Sequence, residues 1–437
     1  MRVSLAIAVW LAGSAMAGCR TPQSALASDH RVESHTNSDD LSGARADATI
    51  AQVMSRMHVP GMALVVVRDG KVVKQGAYGV ASEELGAPVT SSTRFQIASA
   101  TKVLTGTLVM QLVQDQVIAL DAPVRRYLPD VPAAWESITI AQLAAHASGI
   151  PDSGILERPD SSTVEQVTGW LAEQPLAFAP GSKAQYGLSD IVVLTRVLER
   201  VTGTGYEELL QTRLRLHLQC TGFDHVNADG QTRRGDVIPG RVGVYRWEGN
   251  RQRTADYSYP MWAYPSGGAF ACTGDLAQWA IAMDEGKLLS PASEQLAATP
   301  YRLADARACE FGVVFTTGTI CGHRSYGHPG GPALGDIVRL PDDKLTVVVL
   351  SNQKALYPNT ASVIAQLYLP KRELPRAIRE APELRATLER ADPSQVAALP
   401  PLDRIELVRE NRYRATYGDI VIGWKVEPDG ELTQIPE

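Results

Sequence analysis

Phe95-Gln-Ile-Ala-Ser-Ala-Thr-Lys-Val-Leu-Thr-Gly-Thr-Leu-Val-Met-Gln-Leu-Val-Gln114 joins a polar approach, Arg94 to Ala98, to a long apolar run. Val103, Leu104, Leu108, Val109, Leu112 and Val113 recur at helical spacing, which predicts a largely buried helix over 101–114. Ser99 then falls at the helix N-terminus with Lys102 one turn along, and side chains three apart on a helix share a face with Cβ atoms roughly 5–6 Å apart. A serine hydroxyl is a poor nucleophile until a neighbour takes its proton, and a buried lysine of depressed pKa is able to do so. The helix N-terminus adds partial positive charge and backbone N–H groups that favour an oxyanion. The spacing alone is weak evidence, since Ser351-Asn-Gln-Lys354 repeats it at the end of a strand where no helix starts.

Upstream, Met62 to Arg68, the turn pair Asp69-Gly70 and Lys71 to Tyr78 read as a β-hairpin. Downstream, 139–145, 163–174, 189–201 closed by Gly203, and 273–285 closed by Gly286 read as helices with capping residues at their ends. A second hairpin follows, Leu334 to Leu340 and Leu345 to Ser351 around Pro341-Asp-Asp343, with a helix over 360–368 behind it. Strands at both ends and helices between predict an α/β (α+β) domain. Its antiparallel sheet is built from both ends of residues 46–370 and flanked by helices, with an inserted, mainly helical lobe. Clefts form between such lobes.

The 437 residues are 44% hydrophobic and 21% charged, enough apolar material for a large core. Lys and Arg number 42 against 48 Asp and Glu, a net charge of −6, which argues against a nucleic-acid partner. There is no HExxH, GxxxxGK[ST], GxGxxG after a strand or GxSxG elbow, and the scattered histidines and cysteines have no metal-ligand spacing. Neither a metal nor an organic cofactor is expected.

Met1-Arg2, the apolar Val3 to Ala17 and the small-residue ending Gly18-Cys19 have the form of a secretory signal over 1–18. Met16-Ala-Gly-Cys19 resembles a bacterial lipobox with Met where Leu is usual, so the expectation is an exported, periplasmic or envelope protein anchored to the membrane by lipid on Cys19. A plain secretory signal is the alternative. Residues 19–45 lack hydrophobic rhythm and read as a tether. Cys220, Cys272, Cys309 and Cys321 allow three disulfide pairings, one stapling Cys309 to Cys321 across Phe311 to Phe315, and the sequence does not choose among them. Residues 371–437 form an appendage of unassigned role with a hairpin-like end.

Five blocks occur in order: Phe95 to Lys102; Leu143-Ala-Ala-His-Ala-Ser-Gly149; Pro180-Gly-Ser-Lys-Ala-Gln-Tyr186; Pro265-Ser-Gly-Gly268 with Asp275-Leu276; and Gly327-His-Pro-Gly-Gly331 before Val348-Val-Leu-Ser-Asn352. Together they resemble the serine β-lactamase-like superfamily, on the side of class C β-lactamases, D-Ala-D-Ala carboxypeptidases, D-aminopeptidases and related esterases. The resemblance implies a β-lactamase/transpeptidase-like fold, Ser99 as the acylated nucleophile, Lys102 as its proton acceptor, and Tyr186 as a proton shuttle drawn toward its ionised form by the lysine. His328-Pro329-Gly330 takes the third-motif position, on an edge strand open to ligand, and Gly330 and Gly331 fall at the oxyanion and substrate-binding wall. His146 fixes a turn beneath the cleft in this reading, and His323 has no assigned role.

The resemblance breaks at the second motif, where Tyr186-Gly-Leu188 stands in place of Tyr-x-Asn, so Leu188 occupies a substrate-binding position without its carboxamide. His328 in place of the usual Lys holds a carboxylate less firmly, and Pro329 lacks a polar side chain and an N–H. The expected substrate is therefore a small-molecule ester or peptide-like amide rather than a penicillin. D-Ala-D-Ala carboxypeptidase, penicillin-binding or β-lactamase activity, and a non-catalytic binding protein that kept the fold, stay open as alternatives. The sequence does not decide oligomeric state.

Overall fold

The computed structural model describes residues 41–215, 237–255, 259–331, 334–354 and 359–369, and the strands within 404–435. The expected signal over 1–18, Cys19, Cys220 and most of the tether lie outside the described residues. The described residues open with α1 (Leu41–Met57), so residues 41–45, expected as tether, are helical. The reason is tertiary. Ala46, Ile50 and Val53 are buried against the sheet, and Asp47 receives the buried Lys74 ammonium at 2.6 Å and the Tyr78 hydroxyl at 2.6 Å.

β1 (Gly61–Arg68) and β2 (Lys71–Ser82) form the expected hairpin. Asp69 and Gly70 have φ of 50° and 70°, the two left-handed residues that a tight hairpin turn requires. Short β3 (Ala87–Pro88), β8 (Thr316–Ile320), β9 (His323–Gly330), β10 (Gly335–Leu340) and β11 (Leu345–Ser351) complete one antiparallel sheet, in the order β3-β2-β1-β11-β10-β9-β8. Both ends of the domain contribute, as expected, because β1 pairs with β11 from Met62↔Ser351 to Arg68↔Leu345. β1 reads as a continuous apolar run because both its faces are buried: Ala63, Val65 and Val67 serve the main core, while Met62, Leu64 and Val66 serve the core under α1.

The main core is packed by α2 (Lys102–Gln114), α3 (Ile140–Ala144), α4 (Val164–Ala172), α5 (Ser189–Thr202), α6 (Tyr206–Leu210), the short α7 (Tyr264–Gly267) and α8 (Thr273–Asp284). α9 (Pro291–Ala297) leads toward β8, and α10 (Thr360–Tyr368) lies with α1 on the opposite face. Thr139 and Thr163 are N-caps closed by Gln142 and Gln166. Leu188, not Ser189, is the N-cap of α5 and has no side-chain oxygen to give; a carboxylate from elsewhere fills that place, as described below. Between sheet and helices the wholly buried Arg339 of β10 pairs with Asp284 and Glu294, each at 2.6 Å, and Tyr326 of β9 donates to the same Glu294.

Near the C-terminus β12 (Arg404–Arg409), β13 (Arg412–Tyr417), β14 (Ile420–Val426) and β15 (Leu432–Ile435) form an antiparallel sheet in that order. The sequence showed only its second half as a hairpin. No disulfide joins Cys309 to Cys321; the Cys309 thiol instead lies 3.4 Å from the Phe311 carbonyl.

Candidate active site

Ser99 lies in a 3₁₀ turn, Ala98–Thr101, directly ahead of α2, and Lys102 is the first residue of that helix. Two-residue strands β4 (Phe95–Gln96) and β7 (Phe270–Ala271) pair with each other and brace the turn, while β5 (Tyr245–Glu248) and β6 (Arg251–Thr254) form a separate hairpin. Ile97 N–H donates to the Ala269 carbonyl at 3.0 Å, and the Thr101 hydroxyl donates to the Ala98 carbonyl at 2.7 Å while accepting from Ala269 N–H at 3.1 Å. Ala98 is thereby held at φ 48°, a left-handed conformation costing a non-glycine residue about 1–3 kcal/mol. The strain falls at the residue that aims Ser99.

The Lys102 side chain is wholly buried and its ammonium donates to the Tyr186 hydroxyl at 2.8 Å and to the Ser266 carbonyl at 2.8 Å. Its nitrogen lies 4.8 Å from the centre of the Tyr186 ring. Tyr186 also takes a side-chain hydrogen bond with Ser99, so the nucleophile, the amine and the phenol meet, with the phenol between the other two. Burial pushes the Lys102 pKa down to about 7, against the opposing pull of the Asp152 charge. Near neutrality a substantial fraction of the amine is therefore unprotonated.

The phenol behaves differently from the expectation. Burial of its hydroxyl end raises the Tyr186 pKa above the ordinary tyrosine value, only partly opposed by Ser99, and the Asp152 charge adds to the rise. The lysine does not draw this phenol toward its ionised form; Tyr186 keeps its proton and serves as a bridge. Away from its hydroxyl end the residue is open to solvent, 44% exposed overall.

β9 forms the facing wall, and it is not an edge strand, because β8 flanks it as far as Thr316↔Gly327. Only beyond Gly327 does that pairing stop, which leaves His328 to Gly330 without a strand on that side among the described residues. The buried His328 ring is 5.7 Å from that of Tyr186 and its Nδ1 lies 2.6 Å from the Pro329 carbonyl, a contact that requires the proton on Nδ1. Burial, and then the Lys102 charge, hold His328 well below the usual histidine range, so it is neutral. A Cβ on Gly330 would lie 2.0 Å from the Ile97 carbonyl oxygen, so glycine is what lets this wall close on the Ser99 turn. Gly331 follows at the end of the strand.

Leu188 departs most from its expected place. Its side chain packs partly buried on the main core, and its N–H donates to Asp152 at 2.7 Å. His146 is wholly buried at φ 55°, wedged between the rings of Tyr186 (4.8 Å) and Phe311 (4.9 Å), and burial with the Lys102 charge pushes it down to about 3. It is thus a neutral part of the site wall as well as of a turn. His323 bridges to Asp343 at 2.9 Å, and Ser351 uses its buried hydroxyl to accept from Gln353 N–H, so the second SxxK is a strand-end turn. The sequence reading passed over Asp152, Asp190, Ser266 and Phe311. Ser266 had a signal in the Pro265-Ser-Gly-Gly268 block; the two aspartates belong to no spacing motif.

The fold is of the β-lactamase/transpeptidase type, and its site brings a serine, a buried amine and a phenol together. The chain belongs to the beta-lactamase family, whose model matches residues 46–367. Esterase EstB of Burkholderia gladioli is 34% identical over 179 residues, 37% of this chain and 45% of that protein. The chain spans about half the length of the curated relatives it matches. The fold is that of the octameric penicillin-binding protein homologue from Pyrococcus abyssi (TM-score 0.65, 22% identity, 90% of both chains). It is also that of D-amino acid amidase from Ochrobactrum anthropi SV3 (TM-score 0.58, 18% identity, 74% of this chain and 96% of that one).

Proposed function

We propose that the protein hydrolyses an ester or peptide-like amide through an acyl-enzyme on Ser99. The observation that carries this is the buried Lys102 amine, its pKa near 7, hydrogen-bonded to a phenol that also contacts the Ser99 hydroxyl. Unprotonated Lys102 takes the Tyr186 proton as Tyr186 takes that of Ser99, and the serine oxygen bonds to the substrate carbonyl carbon. The Ser99 and Gly331 N–H groups are the proposed donors to the oxyanion. As the bond to the leaving group breaks, the proton returns through Tyr186 to that group. A water molecule then repeats the sequence against the acyl-enzyme and releases the acid.

His328 and Leu188 support the choice of substrate. A neutral imidazole offers no fixed cation to a carboxylate, and Leu188 brings no carboxamide, so an uncharged ester or simple amide is favoured over penicillins and D-Ala-D-Ala peptides. EstB, an esterase by name, is consistent with this order. The same reading places the enzyme outside the cytoplasm, attached through Cys19, on the strength of Val3 to Ala17 and the residues after it.

The test is covalent labelling. Wild type and Ser99→Ala are incubated with a fluorophosphonate and with penicillin, and adducts are mapped by mass. A fluorophosphonate adduct on Ser99, absent from the variant, is the expected result; no adduct there favours a binding protein. Turnover of an activated ester, a penicillin and a D-Ala-D-Ala peptide then ranks substrates, and fastest turnover of penicillin overturns the order given.

A further inference from the structure

We infer that Asp152 is a positioning residue of this site, one that fastens the turn carrying Tyr186 and supplies the negative charge under which Lys102 and Tyr186 share their proton. The inference rests on the reading of Ser99, Lys102 and Tyr186 above and extends it to a residue outside every recognisable motif.

The carboxylate reaches from the loop after α3 to the start of α5. It accepts Leu188 N–H at 2.7 and 2.9 Å and Ser189 N–H at 2.8 Å, and shares the Ser189 hydroxyl, at 2.6 Å, with the Pro151 carbonyl at 2.7 Å. Those N–H groups belong to the first turn of α5, which has no capping side chain of its own. Gly187 makes the approach feasible, since a Cβ there would lie 2.7 Å from three atoms of the carboxylate. Tyr186 precedes this glycine directly, so its ring position is set by a clamp two residues away. Charge-assisted bonds of this kind are roughly twice as strong as neutral ones.

The same carboxylate acts electrostatically on Lys102, Tyr186, His146 and Asp190. The groups facing Lys102 from the packed elements are Tyr186 before α5, Asp152 and His146 after α3, His328 on β9 and the Ser266 carbonyl on α7. Asp190 on α5 has its carboxyl pushed well up by burial and is hydrogen-bonded by Ser148, which leaves Asp152 as the carboxylate opposing desolvation of the amine. Sign follows from this. The amine must lose its proton to act, so kcat/KM rises with pH through the Lys102 pKa; neutralising Asp152 lowers that pKa and moves the rising limb to lower pH.

The experiment compares pH profiles of kcat/KM for an activated ester in wild type, Asp152→Asn and Ser189→Ala, with fluorophosphonate labelling of each. Asp152→Asn keeps most of the hydrogen-bonding outline and removes the charge, so its limb should move down by about one pH unit, the lower end of what a nearby opposite charge produces. Ser189→Ala removes one bond of the clamp and keeps the charge; its limb should stay while kcat falls several-fold at unchanged KM. An unmoved limb in Asp152→Asn overturns the inference. Should Asp152→Asn not fold, an unchanged kcat in Ser189→Ala overturns it instead. Wild type without an adduct on Ser99 and without turnover would sink the proposed function; wild type with both, and an unmoved limb in the variant, sinks only this inference.

Discussion

Gly330→Ala tests how tightly the site depends on the approach of β9 to the nucleophile's turn. The added Cβ would lie 2.0 Å from the Ile97 carbonyl oxygen and 3.0 Å from that of Gly335. An ordinary contact begins near 3.4 Å, so wall and turn must separate by about 1.4 Å. Both partners are backbone, and neither has a side chain that could swing aside. Overpacking of this sort costs about 1–3 kcal/mol of stability, and a misplacement near 1 Å can lower turnover about 100-fold. The assay is kcat/KM on an activated ester together with thermal unfolding. Gly169→Ala, on a helix glycine with open space around it, serves as control and should gain about 0.5–1 kcal/mol. A Gly330→Ala enzyme with wild-type kcat/KM and an unshifted Tm would refute the claim that this glycine closes the wall.

Two further outcomes follow from buried charge. For the wild type, kcat/KM on an activated ester should rise with pH and level off above a midpoint close to 7, because Lys102 must be unprotonated to act; a flat profile between pH 5 and 9 contradicts the assignment of Lys102 as base. Arg339→Met should destabilise the fold by about 3–5 kcal/mol, since it strands Asp284 and Glu294 in the core; denaturant unfolding showing less than 1 kcal/mol would mean the network is dispensable.

Much of the frame was legible because its signals are local. Asp69-Gly70 announces a tight turn, and Met62 to Val67 of β1 and Val347 to Leu350 of β11 are continuous apolar runs because each strand is buried on both faces. β8 was hidden, since Thr316-Thr-Gly-Thr-Ile320 is polar and holds a glycine, and its place comes only from pairing with β9. α1 was hidden for a related reason: its burial depends on Lys74 and Tyr78, which arrive from β2. At the site, ordered blocks exposed Ser99, Lys102, Tyr186 and His328. The depressed lysine and the neutral imidazole were legible from their expected roles, whereas the rise at Tyr186 and the proton on His328 Nδ1 were not, because they depend on contacts distant in sequence. Asp152 was silent because a carboxylate caught by the amides of a distant helix leaves no spacing to read.

α1 and α10 close one face of the sheet together. Ser42 bonds to the Leu367 carbonyl of α10, and both helices back the sheet on the side away from Ser99. Loosening either helix would therefore uncover the same apolar face of the sheet, the one away from Ser99.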